Sequence, residues 1–188
     1  MTFASLFGAD GFPKVLKGRS NIALSTPGEI GGPFTGRATH MADIVPWLLG
    51  RQPTAVRARV RGGSDTRADR GGFIEVLFGD LECHMTCVEE GWHMWDEVRI
   101  FGEEGLIELR RPLKHPLGWE LAVRTRRGEA LEQLEADPKD GDATADFLNA
   151  LRTSAPVACT FADAAVATAI IERAFASACS GSPWLALD

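Results

Sequence analysis

GGPFTGRATHMADIVPWLLG, residues 31–50, is the stretch from which the fold is read. Two glycines, a proline and a polar turn lead to Thr39. An apolar rhythm then begins at Met41, Ile44, Val45, Leu48 and Leu49, the spacing of one face of a short helix over residues 40–49. Thr39 is expected to cap that helix, its hydroxyl accepting from backbone N–H groups that lack an intrahelical partner. His40 would then sit in the first turn, with Asp43 one turn later. A helix start is the positive end of the peptide dipole, so an imidazole held there is disfavoured as a cation and stays able to accept a proton near neutral pH. His40 therefore reads as a proton-accepting or hydroxyl-positioning residue, against the plainer reading of a capping or packing histidine. Asp43 reads as the group that orients it, or as a structural hydrogen-bonding partner for a nearby loop.

Outward from this helix the chain turns to strands. Over residues 54–61, Ala55, Arg57, Arg59 and Arg61 fall on one face and Val56, Ala58 and Val60 on the other, the pattern of a half-buried strand with a solvated arginine row. Residues 62–72, GGSDTRADRGG, read as a polar loop. Strand-like pieces follow over residues 72–78, 81–88, 97–101, 106–109, 119–126 and 130–134. Their connections are short, which implies an antiparallel meander. Residues 137–142, DPKDGD, are a loop. Phe147, Leu148 and Leu151 give the apolar stripe of a short helix ending before Pro156. Thr160 to Asp163 forms a capping-box start for a long helix with the stripe Ala167, Ile170, Ile171, Ala174, Phe175 and Ala178. Gly181 suits its stop and residues 183–187 a closing strand.

Residues 31–50 resemble the start of the C-terminal domain in the Gfo/Idh/MocA family of NAD(P)-dependent oxidoreductases. The pattern there is roughly GG-x(3-4)-D-x-G-x-H-x(2)-D, followed by a helix ending WLLG. Gly31, Gly32, His40, Asp43 and the run Trp47, Leu48, Leu49, Gly50 match it. Gly36 stands where the family often has Asp, Ala38 where it often has Gly, and Pro46 where a polar residue is usual. The strand series F-x-E-V-x-F-G-D-L…W…E-V-x-I-F-G-E-E-G-x-I-E-L and the ending D-F-L-x-A-L-R…I-I-E-R-A-F-x-S-A-x-S-G-x-P are similar to the same family. The resemblance spans residues 30–187.

The fold it implies is α+β: a large, predominantly antiparallel, open-faced sheet with helices packed on one face, the other face commonly meeting a second subunit. Residues 1–30 would be an irregular lead-in, with room for one strand, leaving a nucleotide-binding domain, and residues 31–188 the C-terminal domain. The function it implies is substrate binding and oligomerisation in an NAD(P)-dependent oxidoreductase acting on a hydroxyl or carbonyl of a sugar, polyol or related metabolite. In the family the histidine matched by His40 handles the hydroxyl proton with a lysine from the nucleotide domain and often the acid replaced here by Gly36. His40 and Asp43 are thus the expected catalytic residues, and Arg37, Thr39 and Trp92 the expected substrate contacts. Arg37 reads equally as a surface arginine, and Trp92, beside His93 and Trp95, as sheet or interface packing. No G-x-G-x-x-G follows a strand-like run, so NAD or NADP would be held mainly by a domain outside this chain, and the chain alone is expected to be catalytically silent. The alternative is a stand-alone, non-catalytic dimerisation or ligand-binding module.

Composition agrees with a soluble α+β domain. The chain has 188 residues, 45% hydrophobic and 24% charged. A net charge of −6 argues against nucleic-acid or acidic-membrane binding. No apolar run is long enough to span a bilayer, and a cytoplasmic homo-oligomer is expected. Cys83, His84, Cys87 and His93 suggest a metal at first sight. On a strand, however, Cys83 and Cys87 share one face and His84 points to the other, so the set is split, and no metal is expected.

Overall fold

In the computed structural model the described residues are 2–6, 33–64, 67–88, 95–110, 120–125, 130–134 and 143–187. They form a nine-stranded sheet in the order β8-β7-β6-β5-β1-β4-β3-β2-β9, with three helices. The strands are β1 (Thr2–Leu6), β2 (Ala55–Ser64), β3 (Arg67–Phe78), β4 (Leu81–Val88), β5 (Trp95–Phe101), β6 (Gly105–Arg110), β7 (Glu120–Thr125), β8 (Ala130–Leu134) and β9 (Leu185–Ala186). The helices are α1 (Pro33–Leu49), α2 (Ala143–Thr153) and α3 (Phe161–Cys179). The expected meander is present in two runs, β2–β3–β4 and β5–β6–β7–β8, each paired antiparallel. β1 lies between them, parallel to β4 and antiparallel to β5. The fold is α+β with a predominantly antiparallel, open sheet.

Strand alternation sends Val56, Ala58, Ile74, Val76, Phe78, Cys83, Met85 and Cys87 to one side, where all are buried. α1 and α3 cover that side. α1 packs on β3 and β4, and α3 packs on β2 and against α1. Phe34, Met41, Val45, Ile170 and Ala174 close the core from the helices. Phe34 meets Phe175 edge-on, ring centroids 5.3 Å apart at 80°. The small residues Ala38, Ala42, Ala167 and Ala174 let the two helices and the sheet approach closely.

Both ends of α3 are built as the sequence predicts. Thr160 accepts from the Asp163 N–H while Asp163 accepts from the Thr160 N–H, a complete capping box. At the other end the Ser182 N–H donates to Ser177 O at 2.8 Å around Gly181 at φ 86°, the Schellman arrangement. The buried Ser177 hydroxyl accepts from the Ala58 N–H at 3.2 Å and donates to Pro183 O at 2.6 Å. It thereby ties the helix end to β2 and to the closing strand β9.

Two sequence expectations are corrected. The first helix starts at Pro33, about two turns before residue 40. Thr39 lies inside it, donating its hydroxyl to Thr35 O at 2.6 Å, and is not its cap. A tertiary contact sets the start instead: Asp69 supplies the acceptors, and local spacing cannot show it. Residues 62–72 are not a loop, because β2 and β3 extend through most of them as a long hairpin. Gly72 fits where cross-strand backbone comes close: a Cβ on it would stand 2.2 Å from Arg59 O. The stripe Phe147, Leu148 and Leu151 on α2 is exposed, and Ala150 is the buried residue of that helix.

Candidate functional site

The site is organised by α1. Its buried stripe, Phe34, Ala38, Met41, Ala42 and Val45, fixes the helix on the sheet. Its first turn is held by Asp69 of β3. The Asp69 carboxylate is buried and accepts from the Phe34 N–H at 2.6 Å, the Thr35 N–H at 3.1 Å and the Thr35 hydroxyl at 3.0 Å. The Gly71 N–H adds a fourth bond at 3.2 Å. Orphan donors at the helix start are thus satisfied by a residue on the neighbouring strand.

With the helix rotation fixed, Gly36, His40, Asp43 and Trp47 fall at i, i+4, i+7 and i+11, on one solvent-facing stripe. His40 is exposed and Asp43 half-buried. Trp47 is 72% exposed among the described residues, a large apolar platform. His40 is the eighth residue of α1, so the dipole at the helix start, which acts within the first turn, does not govern it. That part of the expectation is corrected. The imidazole is exposed on the helix. Gly36 lies one turn before His40, and a Cβ there would meet nothing within 4 Å.

Beside this stripe is a cavity of about 530 Å³ between the C-terminal half of α1 and the start of α3. Asp43, Trp47, Arg51, Cys159, Asp163 and Val166 are among its lining residues. Arg51 is committed to Asp80 at 2.8 Å, and one Asp163 oxygen to the capping box. Partial loss of hydration at the cavity wall, with Asp43 and Asp163 adding to it, pushes the exposed Cys159 thiol up from its ordinary range. The lining therefore offers an aromatic face, carboxylate acceptors and little uncommitted positive charge, a surface suited to hydroxyl groups.

Of the residues singled out in the sequence, the structure places His40 and Asp43 on the same stripe, with Asp43 alone reaching the cavity. Thr39 is exposed beside them, its hydroxyl donated to its own helix. Arg37 is half-buried in α1. Trp92 lies outside the described residues, as does His93. Sequence reasoning missed Asp69, Trp47 and Arg51. Trp47 could have been found from its helical offset of seven from His40. The role of Asp69 needed the β3 register.

Neither a family model nor a curated protein matches the sequence. Solved structures do match. An oxidoreductase from Agrobacterium radiobacter in complex with NAD+, L-tartaric acid and magnesium is similar over 99% of this chain and 56% of its own, with a TM-score of 0.68 at 16% identity. Levoglucosan dehydrogenase in its apo form is similar over 100% of this chain and 58% of its own, with a TM-score of 0.74 at 16% identity. The fold is that of these oxidoreductases. The WlbA dehydrogenase from Bordetella pertussis, in complex with NADH and UDP-GlcNAcA, shares it with a TM-score of 0.67 at 16% identity, over 100% of this chain and 54% of its own. The Gfo/Idh/MocA-type fold expected from residues 31–50 is thus the fold of this chain. The chain spans a little over half the length of these solved relatives, 54–58%. None of the described helices is long and apolar enough to cross a membrane.

Proposed function

We propose that this chain is the substrate-binding and oligomerisation domain of an NAD(P)-dependent oxidoreductase acting on a hydroxyl or carbonyl of a sugar, polyol or related metabolite. The observation that carries the reading is the stripe of α1. In a fold shared with NAD-binding dehydrogenases, His40 and Asp43 stand on the exposed side of the helix, next to a cavity with an aromatic wall. His40 would hold the hydroxyl proton of the substrate. Asp43 would accept from a neighbouring hydroxyl, and Trp47 would lie against the apolar face of the sugar ring. Arg37, Thr39 and Trp92 are retained as candidate contacts.

The chain's own residues do not fit a dinucleotide site: the sequence has no glycine-rich phosphate cradle opening a helix after a strand. NAD or NADP, which takes the hydride, would be bound mainly by a domain outside this chain. We place the protein in the cytoplasm as a homo-oligomer paired through the open sheet face. That face carries the ion pairs, within and across strands, of Glu97, Arg99, Glu108 and Arg110 and the exposed ring of Phe101.

A non-catalytic ligand-binding or dimerisation module is the second reading. Gly36 favours it, because the position one turn before His40 offers no carboxylate. Purified chain mixed with NAD+ or NADP+ and a panel of sugars and polyols tests the division of labour. No nicotinamide reduction is expected from the chain alone, together with saturable polyol binding that Trp47→Ala weakens. Turnover by the chain alone would contradict the proposal, and ligand binding indifferent to Trp47 and His40 would favour the second reading.

A further inference from the structure

We propose that Glu75, Glu82 and His84 form a binding site for a divalent transition ion, zinc before others, on the open face of the sheet. The strand register makes the group. Glu75 of β3 lies directly opposite His84 of β4, and Glu82 is two residues before His84, so all three side chains leave the sheet on the side away from the helices. One donor atom from each lies within 4.8 Å of the other two. His84 Nδ1 is 3.4 Å from Glu75 Oε1, and His84 Nε2 is 3.5 Å from Glu82 Oε1. Ligand atoms bound at about 2.0–2.2 Å around a tetrahedral zinc are roughly 3.3 Å apart, so the separations already approach those of a coordination shell. Each ring nitrogen now faces one carboxylate. Binding requires one nitrogen to turn between both, a side-chain rotation that leaves the backbone in place.

The surroundings favour an ion over a simple charge bridge. Glu75 Oε2 is taken by Arg57 Nε, which leaves Oε1 aimed at His84. The guanidinium is itself braced over the Trp184 ring at 4.7 Å. A ligating carboxylate fixed by an outer hydrogen bond is a recurrent feature of metal sites. Glu75 is 13% exposed, whereas His84 and Glu82 are 47% and 44% exposed in the single chain, so the fourth position is open to water before subunits pair. One imidazole nitrogen with two carboxylates suits zinc, cobalt or nickel better than magnesium or calcium, which take mostly oxygen ligands in larger number. Cys83, next to His84, points to the buried side and is not a ligand.

The test uses the full chain, stripped with a chelator and titrated with Zn2+ against a chromogenic indicator. One ion per chain is expected, with affinity about tenfold or more weaker in His84→Ala and in Glu82→Gln. Circular dichroism should report an unchanged fold in both variants. Cobalt(II) should give visible d–d absorption without a thiolate charge-transfer band. Zn2+ should raise the melting temperature of the unaltered chain but not of His84→Ala. The proposal is overturned if no ion binds, if His84→Ala binds as tightly, or if cobalt shows thiolate ligation.

Discussion

The Asp69 carboxylate accepts from the Phe34 N–H at 2.6 Å, joining strand β3 to the first turn of α1 across 35 positions of sequence. This contact holds the start of the helix, while the buried stripe Phe34, Ala38, Met41, Ala42 and Val45 sets which side faces solvent. Asp69→Ala removes the acceptor of four donors, the Phe34, Thr35 and Gly71 N–H groups and the Thr35 hydroxyl, in a buried or part-buried setting. It is expected to cost roughly 2–4 kcal/mol in urea unfolding. Asp69→Asn keeps one acceptor and should cost less. Thr39→Ala removes only a hydroxyl donated within the helix and should change stability by less than about 0.5 kcal/mol. A larger loss for Thr39→Ala than for Asp69→Ala would restore the local cap.

Gly36 is a helical glycine with open space around its Cβ position. Gly36→Ala should stabilise the chain by roughly 0.5–1 kcal/mol, read from the denaturation midpoint. Gly36→Asp should fold equally well and set a carboxylate one turn from His40. In a complex with a nucleotide-binding domain, it should raise turnover if the histidine works on substrate, and leave it unchanged if the domain only binds.

The capping box at the start of α3 predicts a pH dependence. Hydrogen bonds from the Thr160 hydroxyl and N–H hold the Asp163 carboxyl below its ordinary value of 3.8. A depressed folded-state pKa contributes stability that is fully present above that value and is lost as pH falls through the folded one. Thermal melts of wild type and Asp163→Asn should therefore differ most near neutral pH and converge in acid. A gap that widens below pH 4 would have the wrong sign.

Thiol chemistry separates the two sides of the domain. Burial pushes the Cys83 thiol up to about 12, and Cys87, further along the same strand, is also buried. Cys159 and Cys179 are exposed. Native protein should expose two thiols to a disulfide reagent, with Cys159 slower because its neighbours Asp43 and Asp163 oppose the thiolate. Cys83 and Cys87 should react only on unfolding.

Much of this domain was readable from residues because its signals are local. The alternation of Val56, Ala58 and the arginine row, the capping box at Thr160, and Gly181 as a helix stop each act within a few positions, and each appears as expected. The failures are of another kind. Asp69 caps α1 from a distant strand, and no window around Thr39 contains it. The glycines in residues 62–72 read as a loop, but Gly72 serves close strand contact. The apolar stripe of α2 was read correctly as a pattern, yet among the described residues no neighbour covers Phe147, Leu148 or Leu151, since periodicity names an apolar face without naming what meets it. Trp47 joins the stripe of His40 and Asp43 only once the rotation of the helix is known.

The account rests on α1 facing a substrate while the cofactor is held elsewhere. Backbone amide shift mapping of the labelled chain, titrated separately with a polyol panel and with NAD+ and NADP+, tests this most directly. Polyols should shift amides around residues 36–51 and 158–163, and neither nucleotide alone should shift any. Tight nucleotide binding by this chain, or polyol shifts confined to the far side of the sheet, would contradict it.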